Sequence, residues 1–123
     1  VGESFEGVAR RFLPRVGRYR PWLAGLLYRL GITKRRRTHY DHLMLGLHDA
    51  MKADADYQQN GVQTTVEFAA GTAWVCYSDQ TPHAAMSGQH MLEQTLFVAL
   101  SALSHPELSP LAVLERLSGW ILL

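Results

Sequence analysis

At 123 residues with 47% apolar side chains, the chain holds one domain built around a core, and its composition is not that of a disordered segment. No apolar run approaches the ~20 residues of a membrane-spanning helix. The single cysteine, Cys76 in the apolar run 73–78, excludes an internal disulfide, suits a reducing compartment and reads as a small buried filler. The net charge of +1 conceals an asymmetry. Residues 1–40 carry ten Lys/Arg against Glu3 and Glu6, a balance of +8, and residues 41–123 carry Lys52 and Arg116 against nine acids, a balance of −7.

The basic half either seeks an anion, such as nucleic acid, an anionic membrane surface or an acidic substrate, or is a solvated face. Tyr19, Trp22 and Tyr28 fall in an amphipathic helical pattern instead of a base-stacking platform, which argues against nucleic acid. In chain order, residues 3–13 place Phe5, Val8, Ala9 and Phe12 at helical spacing, with Ser4 as N-cap and Pro14 as stop. Residues 22–30 predict a second helix ended by Gly31. The pair forms a basic amphipathic hairpin, suited either to anionic lipid or to packing on a sheet. Met44, Leu47 and Met51 predict a helix from about residue 42 to 54, which Gly46 weakens.

After residue 61 the period changes. Residues 62–69 alternate, Ala70-Gly71 makes a turn, and residues 72–78 and 92–100 are further β-rich runs. Strands joined by such short turns imply antiparallel meander or jelly-roll pairing and not βαβ units. Ser109-Pro110, an N-cap followed by proline, opens a last helix over residues 109–122. The expected fold class is therefore α+β: residues 1–58 mainly helical, residues 62–100 a partial jelly-roll sheet, and a C-terminal helix, all in one domain. A start at Val1, without initiator Met or signal-like segment, suits a piece of a longer protein.

Six histidines are present. His39-Tyr40-Asp41 has the His-x-Asp spacing that, with a distant third histidine, builds the facial site for Fe(II), although any chain with six histidines contains such spacings by chance. His83 sits after Pro82 and before Ser87-Gly88, at a turn between β-rich runs where a side chain faces a barrel mouth. It is either a metal ligand or a turn histidine bonded to backbone.

Three stretches in the same order carry a family resemblance: residues 1–14, VGESFEGVARRFLP; residues 40–58, YDHLMLGLHDAMKADADYQ; and residues 72–95, TAWVCYSDQTPHAAMSGQHMLEQT. Together with residues 106–122 they resemble the bacterial 3-deoxy-D-manno-octulosonic acid (Kdo) 3-hydroxylases, Fe(II)- and 2-oxoglutarate-dependent dioxygenases of the double-stranded β-helix type acting on the Kdo sugar of lipid A. The resemblance implies that His83, in the Asp-Gln-x-x-His-Ala-Ala-x-Ser-Gly-Gln stretch, is the distal iron ligand, with Asp79, Gln80 and Ser87 supporting it. It also implies that the family's His-x-Asp pair lies before Val1, which makes His39 and Asp41 coincidental.

Many relatives of this fold grip the co-substrate's far carboxylate with an Arg about ten residues after the distal histidine. Gln94 and Thr95 stand in that region here and offer only neutral hydrogen bonds. Arg37 and Lys52, cations near the predicted central helix, are the candidates for the anionic substrate, with a solvated face as the alternative, and of the two only the arginine can hold a carboxylate bidentately. The implied cofactors are Fe(II), 2-oxoglutarate and ascorbate. The implied partners are Kdo-lipid A and a peripheral membrane surface, with no nucleic acid, and the implied place is the cytoplasmic face of the inner membrane. Two other readings stay open: a non-catalytic anionic-membrane or lipopolysaccharide-binding module, and a cupin-like β domain without metal.

Overall fold

The computed structural model describes residues 2–123. Among the described residues five α-helices form: α1 Phe5–Phe12, α2 Pro21–Arg29, α3 His39–Ala53, α4 Ala55–Asn60 and α5 Pro110–Ser118. Short 3-10 turns lie at Leu13–Arg15, Leu100–Ala102 and Pro106–Leu108. α1, α3 and α5 each begin where a side chain satisfies free N–H groups, whereas α2 follows Arg20 with no side-chain cap and has Pro21 in its first turn. The Ser4 hydroxyl accepts from Gly7 N and the Ser109 hydroxyl from Ala112 N, with Pro110 at the first helical position. Thr38 and Asp41 form a reciprocal capping box on α3. α5 stops at Gly119 in the left-handed conformation, φ +74, four residues short of the expected end.

α1, α3 and α5 pack together around Val8, Ala9, Phe12, Leu43, Leu47, Val113 and Leu114, with Leu122 closing the base. Phe12 and Leu114 are wholly buried, and removing a side chain like Phe12 from such a seam costs about 3–5 kcal/mol. Tyr57 of α4 meets the Phe12 ring edge-on at 5.2 Å. Asp54 restarts the chain after α3 by capping α4 through Tyr57 N at 2.8 Å, and the Arg15 guanidinium pairs with the same carboxylate. Glu6 joins α1 to α5 through Arg116 at 2.9 Å. Gly46 lies where α3 meets Val16: a Cβ there would overlap Val16 Cγ1, so the glycine trades helix propensity for close approach.

The expected β sheet is absent. Among the described residues no strand forms, and residues 62–69 and 72–77 are extended without ladder hydrogen bonds. The turn at Ala70-Gly71 does form, with Thr72 N donating to Ala69 O at 3.1 Å, but the arms it joins do not pair. The partial jelly-roll is overturned for a physical reason. Alternation and β-branching describe a surface that wants a neighbouring strand, and they cannot supply one. The same segment leaves Val75, Leu92 and Phe97 almost fully exposed. Cys76, expected as a buried filler, is exposed there too.

Two outcomes test this packing. Gly46→Ala gains about 1 kcal/mol of helix propensity but loses about 1–3 kcal/mol to overpacking against a stiff valine. Urea melts should therefore show Gly46→Ala less stable than wild type, and the same change stabilising in a Val16→Ala background. The second outcome concerns acid. The Tyr57 amide and then Arg15 hold the Asp54 carboxyl below its ordinary value, and Arg10, with Arg116, does the same for Glu6. A depressed folded-state pKa stabilises above the unfolded value near pH 4 and loses that contribution as pH falls through the folded value. The melting temperature should fall below about pH 4, and less steeply in Asp54→Asn, which keeps a capping side chain.

Candidate functional site

The site is built on a turn. Gln80 N donates to Tyr77 O at 2.9 Å, closing residues 77–80, and two side chains tie this turn to the helices. Gln80 Nε2 donates to Leu108 O at 2.7 Å, just before α5, and the Tyr40 hydroxyl, in the first turn of α3, reaches Asp79 Oδ2 at 3.5 Å. Burial, and then the Asp79 carboxylate, push the Tyr40 phenol well above its ordinary value, so it stays protonated and donates.

His83 follows that turn. Its Nδ1 lies 2.8 Å from Thr81 O, and because a carbonyl only accepts, Nδ1 is the donor, which in the neutral ring leaves Nε2 as the acceptor. Trp74 meets the imidazole edge-on at 6.1 Å and is itself stacked on Phe68 at 5.3 Å. An exposed imidazole whose second nitrogen is fixed by a backbone carbonyl has the form in which histidine binds metal. His83 thus fits one position of an iron site. Among the described residues no group of three His, Cys, Asp or Glu side chains comes together to complete one.

His39 and Asp41 do other work. The His39 ring stacks on Tyr19 at 4.8 Å and is half-buried. Burial, and secondarily His42, lowers its pKa. Asp41 is occupied by the capping box and by Arg35 at 2.8 Å.

Of the remaining candidates, Ser87, Gln94 and Thr95 are exposed on the extended segment. Arg37 lines a shallow depression of about 410 Å³ with Lys34, Arg35 and the half-buried Thr33, whose hydroxyl has no hydrogen-bond partner. Lys52 is in the last turn of α3, and at 1.5 Å per residue it stands roughly 20 Å from Arg37. The two cations therefore do not converge on one carboxylate. Tyr40 and Trp74 were missed from sequence. Their roles come from contacts between distant segments, and the only signal was an aromatic in the first turn of a helix and another in an apolar run.

Residues 1–120 match the family described as 3-deoxy-D-manno-oct-2-ulosonic acid (Kdo) hydroxylase, and the chain belongs to that family. It is similar to the solved apo structure of the Kdo hydroxylase KdoO, a non-heme Fe(II) alpha-ketoglutarate-dependent dioxygenase, with 44% identity and a TM-score of 0.93 over 98% of this chain and 41% of that one. KdoO in complex with alpha-ketoglutarate and Fe(III) matches at 43% identity and a TM-score of 0.94, over 99% of this chain and 42% of that one. The complex with cobalt(II) matches at 44% identity and 0.93, over 98% and 41%. The chain therefore spans about 41% of the length of the KdoO chain. A comparison with curated protein sequences finds no match.

The division of labour between the two histidines is measurable by urea unfolding. His39→Ala, which removes a half-buried stacked ring, should cost about 1 kcal/mol. His83→Ala, at an exposed position, should stay within about 0.5 kcal/mol of wild type.

Proposed function

We propose that this chain is the C-terminal part of an Fe(II)- and 2-oxoglutarate-dependent dioxygenase that hydroxylates the Kdo sugar of lipid A, and that it supplies one iron ligand, His83. The observation that carries this reading is the His83 hydrogen bond: Nδ1 donates to the Thr81 carbonyl at 2.8 Å, so the neutral ring presents Nε2 to a metal, in a chain of the Kdo hydroxylase family. Iron with 2-oxoglutarate supplies the oxidising power for C–H hydroxylation, and ascorbate keeps the metal ferrous.

The residues of this chain hold and orient. Asp79 and Gln80 fix the turn that aims His83, through Tyr40 and the Leu108 carbonyl. Ser87, beyond His83 in the chain, takes a supporting role in the assembled site, and Gln94 and Thr95 give the co-substrate neutral hydrogen bonds. Arg37, three residues before Tyr40, stands at the end of α3 nearest the turn and offers its guanidinium fork to a substrate carboxylate or phosphate. Lys52 meets a second, separate anion of the glycolipid. A lipid-linked substrate places the protein peripherally at the cytoplasmic face of the inner membrane.

A chimera tests the reading: KdoO with its matching segment replaced by residues 1–123. It should convert Kdo-lipid A to a product heavier by one oxygen, dependent on Fe(II) and 2-oxoglutarate. His83→Ala should lower kcat/KM by about a thousandfold or more, and His39→Ala should stay within a few-fold below its melting temperature. The 123-residue chain alone should release no succinate above a no-enzyme control. A folded chimera that leaves Kdo-lipid A unmodified would refute the proposal.

A further inference from the structure

The segment between α1 and α3 leaves the bundle and returns to it. Its base is clamped: the Tyr19 hydroxyl donates to Arg37 O at 2.8 Å, His42 Nε2 donates to Gly17 O at 2.6 Å, and the Tyr19 ring stacks on His39. Between these clamps α2 projects with its amphipathicity inverted. Ala24 alone is buried and Leu27 half-buried, while Trp22, Leu23, Leu26 and Tyr28 are exposed.

Trp22 and Leu26 recur at i and i+4, Leu30 continues the stripe just past the last turn, and Leu23 flanks it. Trp22 is 65% exposed and Leu30 63%. Ile32 follows at the tip, where Gly31, φ +68, reverses the chain and Ile32 N donates to Leu27 O at 3.0 Å. A stripe of this kind on a water-facing helix is unfavourable unless something apolar covers it.

The charges around it say what. Residues 7–40 contain no acid. The cations of α1 and the turn after it are spent within the protein: Arg10 on Glu6, Arg11 on Asp56 and Arg15 on Asp54. Those that flank α2 are not. Arg18, Arg20, Arg29, Lys34, Arg36 and Arg37 are exposed, and their side chains have no ion pair or hydrogen bond among the described residues.

We propose that α2 and the loop to Arg37 are a monotopic membrane anchor that lays Trp22, Leu26 and Leu30 into the interface of an anionic bilayer, with the unpaired cations at the level of the lipid phosphates. A tryptophan at the rim of an apolar stripe bordered by arginines is the chemistry of that interface. No helix among the described residues is long and apolar enough to cross a membrane, and an in-plane anchor does not need one. The anchor extends the hydroxylase reading without resting on it, because vesicle binding is measured without iron, 2-oxoglutarate or Kdo.

The test uses the 123-residue chain with Trp74→Phe and Trp120→Phe, which leaves Trp22 as the one fluorophore. Vesicles of phosphatidylcholine with 30% phosphatidylglycerol should shift Trp22 emission to the blue, and brominated lipid should quench it, while phosphatidylcholine alone does neither. At ~1 kcal/mol for each cation near the surface, Arg36→Gln with Arg37→Gln should weaken partitioning about thirtyfold, and raising salt on the unmutated chain should weaken it in the same direction. The KdoO chimera should float with the same vesicles. Equal binding to neutral vesicles, binding without a Trp22 shift or quench, or a folded chimera that stays in solution because protein covers α2, would each overturn the anchor.

Discussion

The contact of α1 with α5 brings Phe12 and Leu114, from opposite ends of the chain, into one core with no exposed surface left on either. That core holds α1 and α5 together across α3, and everything chemically interesting hangs from the result. Tyr40 is in the first turn of α3 and the Leu108 carbonyl lies just before α5, so the two tethers of the Asp79-Gln80 turn share one helical frame. His83 inherits its position from that frame and not from a strand. Hydrophobic burial, which is non-directional, fixes the helices. Two directional side-chain contacts then transmit their placement to a segment with no regular structure of its own.

The extended region is where physical economy fails. Helices satisfy their backbone internally, so α1, α3 and α5 are complete wherever they pack. An extended segment must find a second one, and residues 62–99 do not. Its aromatics do what local contact allows: Phe68 and Trp74 stack across the Ala70-Gly71 turn, and Trp74 reaches the His83 ring. The region nevertheless follows the course of KdoO closely enough for a TM-score of 0.94 over 99% of this chain, which itself spans 42% of that one.

Helix ends were readable because their causes are local. Ser4, Ser109-Pro110 and Gly31 announce their roles in sequence, and Gly119 would have shortened the last helix had its left-handed preference been weighed. α4 was missed because its six residues are organised by Asp54, an acid that looks like the end of α3 and is in fact a new cap. The sheet was overread because a period of two reports a preference for a flat, half-buried surface and is silent about the neighbour. In the site, His83 was singled out by its setting and by family resemblance, while its tautomer, its Trp74 contact and the Tyr40 tether needed the fold. The distance between Arg37 and Lys52 is set by the length of α3, which the apolar pattern underestimated at its start.

The proposed iron site depends on one imidazole of this chain. Iron content of the KdoO chimera, measured by plasma emission after anaerobic loading with Fe(II) and desalting, addresses it most directly. One iron per chain in the parent chimera and in His39→Ala, with none retained in His83→Ala of unchanged circular dichroism, is the predicted result. Full iron retention by His83→Ala, or its loss in His39→Ala with the fold intact, would show that His83 is not the ligand this chain supplies.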